Sequence, residues 1–452
     1  MHSSAERIIE KIKTSQTEKI KLAITDIDGV LRGKIIHKQK FLSAIENGFG
    51  FCNVVFGWDS ADVCYENADY TGWHSGYPDA LAKIDLATYR TIPWDSNIPF
   101  FLADFYTEKN KPLEICPRQL LKRVRSEALK LGYTPLFSAE YEFFNFKETP
   151  DSLHDSQFKS PNPLTPGMFG YSLLRSSLHS DYFNALFDQL GAFQVPLEGL
   201  HTETGPGVYE AAILYDDILE AADRAVLFKT AVKEIAQNYG IIPSFMAKWN
   251  SNYPGCSGHI HQSLYKDERN CFYDPKMPYK ISQTLIHYLA GILHCLPEIL
   301  PMYAPNINSF KRLVEGAWAP TTCTWGIDNR TTAVRVIPQS EKSTRIEMRV
   351  TGSDINAYLA MAACLASGLY GITHKLPLNT EATQGNGYTD KANGSLPKSL
   401  HEATDKMKKS DIAKHLFGEP FVSHFVQTRE WEIQQASKAV TDWELKRYFE
   451  II

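Results

Sequence analysis

The chain predicts an α+β protein in two parts, and three features carry that reading. From Ile20 to about Ile115 it is rich in strand formers broken by turn residues. Beyond Pro117 long helical patterns alternate with strands. The change falls near Glu114, which sets a first unit over residues 1–114 and a second over residues 115–452. A chain of 452 residues is long enough for two cores, and its 43% hydrophobic and 22% charged content is that of an ordinary globular protein. Lys plus Arg number 47 against 52 Asp plus Glu, a net charge of -5 with no basic stripe, which argues against nucleic acid as a partner.

Element by element, Ser3 and Glu6 have capping-box spacing before a short amphipathic helix carrying Ile8, Ile9 and Ile12. Residues 22–25 and 30–36 read as a hairpin joined through Asp28-Gly29, a pair that supplies the positive φ angles of a tight turn. Pro117 opens a helix whose apolar face is Leu120, Leu121, Val124 and Ala128, and Gly132 ends it. Further helices are expected over about 217–239, 281–295 and 355–370, with loops over 149–167 and 379–395. No basic-then-apolar leader opens the chain, and the apolar run near 357–369 is broken by Ser367 and Gly368 well short of a membrane span. The eight cysteines form no Cys-x-x-Cys pair, so a reducing, cytoplasmic setting without a membrane partner is the simplest reading.

Four segments carry chemistry. On a strand Glu140 and Glu142 share one face and Tyr141 and Phe143 the other, and two adjacent carboxylates repel unless a cation lies between them. A solvated strand face would explain that segment equally well. His201 to Glu210 encloses Gly205-Pro206-Gly207 between Glu203 and Glu210, a tight irregular backbone that suits a pocket edge or a plain surface turn. His259, His261 and Ser263 point one way on a strand, with Ile260 and Leu264 directed to a core, and two histidines on one face are more often ligands than a lone one. Arg345, Glu347 and Arg349 alternate with Ile346, Met348 and Val350; alone this is an ion-pair ladder, and beside a phosphate it is a bidentate binding surface.

Taken in order, these segments resemble the glutamine synthetase family. The run comprises Glu-x-Glu-Phe at 140–143, Glu203 and Glu210 across Gly-Pro-Gly, and His-x-His-x-Ser at 259–263. It continues with Lys311-Arg312-Leu313-Val314, Asn329-Arg330 and Arg-Ile-Glu-x-Arg at 345–349. The likeness implies an N-terminal β-grasp domain followed by a catalytic domain built on a curved antiparallel sheet with helices. It also implies two or more Mg²⁺ or Mn²⁺ ions, one held by Glu142, Glu203 and Glu210 and another by Glu140, His259 and Glu347, with ATP as co-substrate. Arg330, Arg335, Lys342 and Arg345 look like the family's nucleotide and phosphate residues, and His261 and Ser263 like its nucleotide-side contacts. Arg312 and Arg349 resemble the arginines that seat the substrate carboxylate. Asp59 resembles the acid that helps bind and deprotonate the incoming nitrogen, delivered from a neighbouring subunit in stacked rings of ten or twelve copies.

Two departures from that pattern bear on the substrate. Trp318 stands where the family's flap glutamate holds ammonium, and an indole can wall an amine but cannot take its proton. Pro254-Gly255 replaces the Asn-Gly pair that reads the amino group of glutamate. Both changes resemble the γ-glutamyl-polyamine and γ-glutamyl-monoamine ligases, so the expected reaction joins glutamate or a similar acid to an amine other than ammonia. The alternatives are a true glutamine synthetase and an inactive structural member of the fold. A further rival is a phosphatase with Asp26 as nucleophile and Asp28 as acid/base in Asp-x-Asp-Gly.

Overall fold

A computed structural model describes residues 4–452, so the cap expected at Ser3 lies outside the described residues. The first part runs α1 (Ser4–Thr14), β1 (Lys19–Thr25), β2 (Leu31–His37), α2 (Lys38–Asn47), β3 (Phe49–Cys52), β4 (Asp79–Ile84), β5 (Arg90–Ile92) and β6 (Ile98–Tyr106). Its six strands form one sheet in the order β2-β1-β6-β4-β3 with β5 on β6, and only the β1–β6 pair is parallel. Phe41 of α2 packs against Phe101 of β6 with ring centroids 4.7 Å apart, which seats the helix across the sheet in the manner of a β-grasp.

The expected hairpin forms, but not through a two-residue turn. Residues 26–30 make the connection: Asp26 Oδ1 accepts from the backbone of Asp28 at 3.1 Å and of Val30 at 2.9 Å. Gly29 takes φ +83° and Asp28 does not take a positive angle. An aspartate that caps its own turn removes the need for a second left-handed residue. The same contacts overturn the phosphatase reading. Asp26 is buried, its Oδ2 accepts from Arg32 Nε at 2.9 Å, and Asp28 pairs with Arg429 at 2.5 Å, so no nucleophilic oxygen is free.

The second part opens with α3 (Pro117–Lys130), whose buried face holds the four apolar residues expected of it. There follow β7 (Thr134–Phe146), α4 (Pro150–Asp155), α5 (Leu173–Leu178), α6 (Ser180–Ala192), β8 (Leu197–Thr202), β9 (Val208–Ile213), β10 (Asp216–Asp217), α7 (Ile218–Gln237), β11 (Ile242–Ser244), β12 (Gly258–Lys266) and β13 (Arg269–Asn270). The chain continues with α8 (Gln283–Cys295), α9 (Ser309–Arg312), β14 (Trp325–Ile327), β15 (Val334–Ile337), β16 (Arg345–Met348) and α10 (Ala357–Thr373). It ends with α11 (Leu400–Lys409), α12 (Asp411–Phe417), α13 (Glu419–Lys438) and α14 (Asp442–Tyr448). The expected long helices start within two residues of their predicted positions, where Asp217, Ser282 and Asn356 act as N-caps. The stretch 149–167 is not all loop. Thr149 and Ser152 form a reciprocal capping box with Pro150 in the first turn, which starts the short helix α4.

Ten strands make the second sheet, in the order β14-β15-β16-β12-β7-β9-β8, with β10 and β11 on β7 and β13 on β12. All pairs are antiparallel except β14–β15. One face is packed: Tyr141 stacks on Phe228 of α7 at 5.9 Å, and Phe143 stacks on Phe245 at 5.2 Å. Helices α3, α7, α8 and α10 supply most of the remaining core, which also takes Ala23, Phe100 and Leu102 from the first sheet. The opposite face is left for charged side chains. Among the described residues no helix is long and apolar enough to cross a membrane.

Candidate active site

Strand register assembles the site. In an antiparallel pair, residues directly opposite each other share a face. His259 is opposite Glu140, His261 is opposite Glu347, and Arg335 is opposite Glu347 on its other side. Toward the far edge Glu142 is opposite Glu210, which is opposite His201. Five strands therefore lay acids, histidines and one arginine in a band across the unpacked face, with β8 adding His201 at its edge.

The centre of the band is a buried imidazole between two carboxylates. His259 Nδ1 lies 3.3 Å from Glu140 Oε1 and 3.1 Å from Glu347 Oε1, and its buried Nε2 has no partner among the described residues. Neighbouring donors around a cation with bonds of about 2.0–2.1 Å sit about 3.0 Å apart, so these separations suit a divalent ion. His261 joins the group: one ligand atom each from Glu140, His261 and Glu347 lie within 4.8 Å of one another. Burial and the Arg349 charge hold His259 below its ordinary value, which keeps it in the neutral form that binds metals. Burial opposes ionisation of Glu140, yet hydrogen bonds from His259 and His261 hold its carboxyl well below the usual range. Burial likewise opposes ionisation of Glu347, yet the neighbouring His259 imidazole and Arg349 guanidinium bring it down to about 2.

The second expected trio is less gathered. Glu142 accepts from the backbone of Ser257 at 2.6 Å, Glu210 lies 3.1 Å from His201 Nε2, and Glu203 turns to the backbone N–H of Thr204. Burial and then the Glu210 charge push Glu142 up to about 8, with Glu203 adding to the effect. Such a carboxyl keeps its proton at neutral pH until a cation replaces it. The donor sets thus fit hard divalent ions, the first through the closeness of Glu140, His261 and Glu347 with His259 beside them, and the second through three carboxylates of which Glu142 yields its proton to the ion.

Beside the first trio opens a cavity of about 390 Å³ lined by His261, Ser263, Lys342 and Arg345. Four of the six expected nucleotide and phosphate residues therefore share one cavity. Arg335 stands apart, bonded to Glu347 at 3.2 Å and Asp328 at 2.5 Å. Arg330 exposes its guanidinium, which has no partner among the described residues, while its carbonyl accepts from Arg349 Nε at 3.0 Å. Arg349 also reaches Glu347 at 2.6 Å. Arg312 is buried behind the site, with its Nη atoms donating to Val350 O, Ser257 Oγ and Arg349 O. It packs on Gly255, where a Cβ would lie 2.8 Å from Arg312 Cγ and 2.4 Å from Ala247 O.

Two expected residues stand outside this group. Trp318 is 57% exposed at φ +57° on the loop after Arg312, and neighbouring Glu315 pairs with Lys391 at 3.8 Å. Asp59 belongs to the first part, where it accepts from Trp431 Nε1 at 2.9 Å. The sequence reading assigned no role to His201, which stacks on Tyr171 at 4.6 Å. Burial opposes its protonation, but the hydrogen bond to Glu210 prevails and raises it to about 9. It also missed Ser353, whose hydroxyl donates at 2.6 Å to the carbonyls of Glu142 and Ser257 and ties two site strands together. The position of His201 on the site face of β8 was a usable signal; nothing local marked Ser353.

Residues 114–448 match the model of the glutamine synthetase catalytic domain. The chain is 51% identical over 450 residues to type-1 glutamine synthetase 2 of Dictyostelium discoideum, covering 98% of this chain and 86% of that protein. It is 37% identical over 450 residues to a glutamate–isopropylamine ligase of Pseudomonas sp, covering 99% and 98% of the two chains. The solved structure of a GmaS/ADP complex superposes with a TM-score of 0.85 at 25% identity over the full length of both chains. The chain therefore belongs to the glutamine synthetase superfamily, with the γ-glutamylamine ligase branch among its relatives.

Proposed function

We propose that this protein is an ATP-dependent ligase that joins the γ-carboxylate of glutamate, or a similar acid, to an amine other than ammonia. Enzymes of the family use ATP and divalent metals such as Mg²⁺ or Mn²⁺. The observation that carries the reading is the band of acids and histidines around His259, open on one side to a cavity with Lys342 and Arg345 in its wall. A carboxylate resists attack by an amine because oxide is a poor leaving group; phosphorylation by ATP supplies a good one. Glu142, Glu203 and Glu210 would hold one cation and Glu140, His259 and Glu347 another, and these ions when bound neutralise charge on the transferred phosphoryl group.

The chain's own cations complete the site. Lys342 and Arg345 would meet phosphate oxygens from the cavity wall, together with His261 and Ser263. Arg335 would do so from beside Glu347, and the exposed Arg330 is suited to the phosphoryl group in transit. Arg349, steadied by Glu347 and the Arg330 carbonyl, would seat the acid, with Arg312 and Gly255 shaping its floor. Asp59 would receive the amine proton in the site of a neighbouring copy. Family members form oligomeric rings, and we assign this chain to stacked rings of ten or twelve. Residues 1–114 and 115–452 would form its two domains, and the cytoplasm its setting.

Trp318 supports an amine with an apolar body, as does the relative named for isopropylamine. The relative named glutamine synthetase favours ammonium as the second reading. Phosphate release with glutamate fixed and ammonium, ethanolamine, isopropylamine and putrescine compared decides between them. An organic amine is expected to exceed ammonium in kcat/KM; ammonium as the best donor would overturn the role given to Trp318.

A further inference from the structure

We infer that Trp431 of α13 is a positioning residue that fixes how the Asp59 carboxylate is presented, an inference that rests on the role proposed above for Asp59. Residues 57–78 leave the first sheet and return to it at β4. Asp62 and Thr71 bond within the first part, but several of the segment's other polar bonds go to a helix near the other end of the chain. Trp431 Nε1 donates to Asp59 Oδ2 at 2.9 Å across 372 positions of sequence. Asn67 Nδ2 donates to Gln427 O at 2.8 Å, and the Gln427 side chain bonds both the backbone and the carboxylate of Asp69. The Tyr65 ring meets the Trp431 ring edge-on at 5.9 Å.

Asp59 is held from two sides. Its Oδ1 accepts from the backbone of Ala61 at 2.9 Å and Val63 at 3.0 Å, so its own turn fixes one oxygen. Among the described residues the other oxygen has Trp431 alone, and that indole is 3% exposed and cannot swing aside. Asp59 itself remains partly exposed, which leaves Oδ2 a second lone pair for an incoming nitrogen. The neighbouring acid Asp62 is already paired with Arg32 at 2.7 Å. Without the indole N–H the carboxylate gains rotational freedom, and an amine meets it in several orientations rather than one.

The test uses the full-length assembled protein and phosphate release, with ATP, glutamate and the nitrogen donor varied in turn. Isopropylamine and ammonium are run in parallel as donors. Trp431→Phe keeps the ring and removes the N–H. It is expected to raise the donor KM about tenfold and to leave the KM values of glutamate and ATP within twofold, the size expected for one lost bond to a carboxylate. Asp59→Asn should do at least as much, and the double variant should be no worse than Asp59→Asn alone. An unchanged donor KM in Trp431→Phe, a parallel rise in all three KM values, or effects that multiply in the double variant would each overturn the inference. A wild-type donor KM in Asp59→Asn would instead overturn the role of Asp59 itself. Should Trp431→Phe fail to assemble, Gln427→Leu, which cuts the loop's other tether, carries the same expected split between substrates.

Discussion

Glu142 and Glu347 occupy the same sheet face and answer to opposite electrostatics. Glu347 lies between Arg349 at 2.6 Å and Arg335 at 3.2 Å, and is held ionised down to about pH 2. Glu142 has acids for neighbours, and burial with the Glu210 charge raises it to about 8. Replacing each with glutamine should therefore move stability in different directions. Glu347→Gln strands two guanidiniums, one of them fully buried, and should cost about 3 kcal/mol in urea unfolding of the cation-free protein. Glu142→Gln removes a carboxyl that the empty site tolerates poorly, so the cation-free protein should be unchanged or slightly more stable. Its Mn²⁺ affinity, measured by calorimetry at pH 7.5, should fall by about tenfold or more, roughly 1.4 kcal/mol. Equal losses of stability in the two variants would refute this division of the site.

At the scale of elements, the sheet face is only as well set as the helices behind it. Helices α8 and α10 cross at glycines: a Cβ on Gly291 would lie 2.2 Å from Ser367 O, and one on Gly371 would lie 2.0 Å from His287 O. Backbone meets backbone there, and no side chain can give way. Gly291→Ala should cost about 2–3 kcal/mol in urea unfolding, the upper range for overpacking. Gly191→Ala in α6, where nothing lies within 4 Å of the added atom, should stabilise by up to about 1 kcal/mol. Equal effects at the two positions would remove the close crossing as the cause. The three strands β7, β12 and β16 were legible in the sequence because each has one packed and one charged face, and alternation survives whatever partner the strand finds. Helices α8 and α10 carry no charged residue and were legible as long apolar runs that open just after a capping residue. What stayed hidden was partner choice. That His201 would pair with Glu210, that Ser353 would bridge two carbonyls, and that Trp431 would reach Asp59 all depend on chain crossings that local pattern does not encode. The turn at 26–30 was misread for a smaller reason: a side-chain cap did the work assigned to backbone angles.

For the whole molecule, buried titratable groups pull stability in opposing directions as pH changes. Glu142, raised to about 8, keeps a proton that the unfolded chain has released above about pH 4.5, so folding weakens as pH rises through that window. Asp26, raised to about 7 by burial and then the Asp28 charge, acts in the same sense. The contribution of His201, raised to about 9, is complete below pH 6.5 and lost by pH 9. Two groups oppose these. His424, lowered to about 4 by burial and Arg429, destabilises as pH falls from 6.5 to 4. Lys229, lowered to about 7 by burial, is deprotonated at lower pH in the folded state than in the unfolded chain, so it adds stability as pH rises from 7 to 10.5. The cation-free melting temperature should therefore fall between pH 6.5 and 8, because Glu142 and His201 both lose stability across that window, while Lys229 opposes them only above about pH 7 and His424 only below 6.5. The increment produced by Mg²⁺ or Mn²⁺ should not be flat, because Asp26, His424 and Lys229 contribute alike with and without the ion and cancel in the difference. The protons that remain are the site's own, on Glu142 and on His201 beside Glu210, and Glu142 must release its proton before a cation can take its place. The rise in melting temperature on adding Mn²⁺ should thus grow steadily from pH 6 to pH 8 and lose the Glu142 part of that dependence in Glu142→Gln, leaving the part due to His201. A cation increment that is constant over this range would mean that Glu142 does not exchange its proton for the ion.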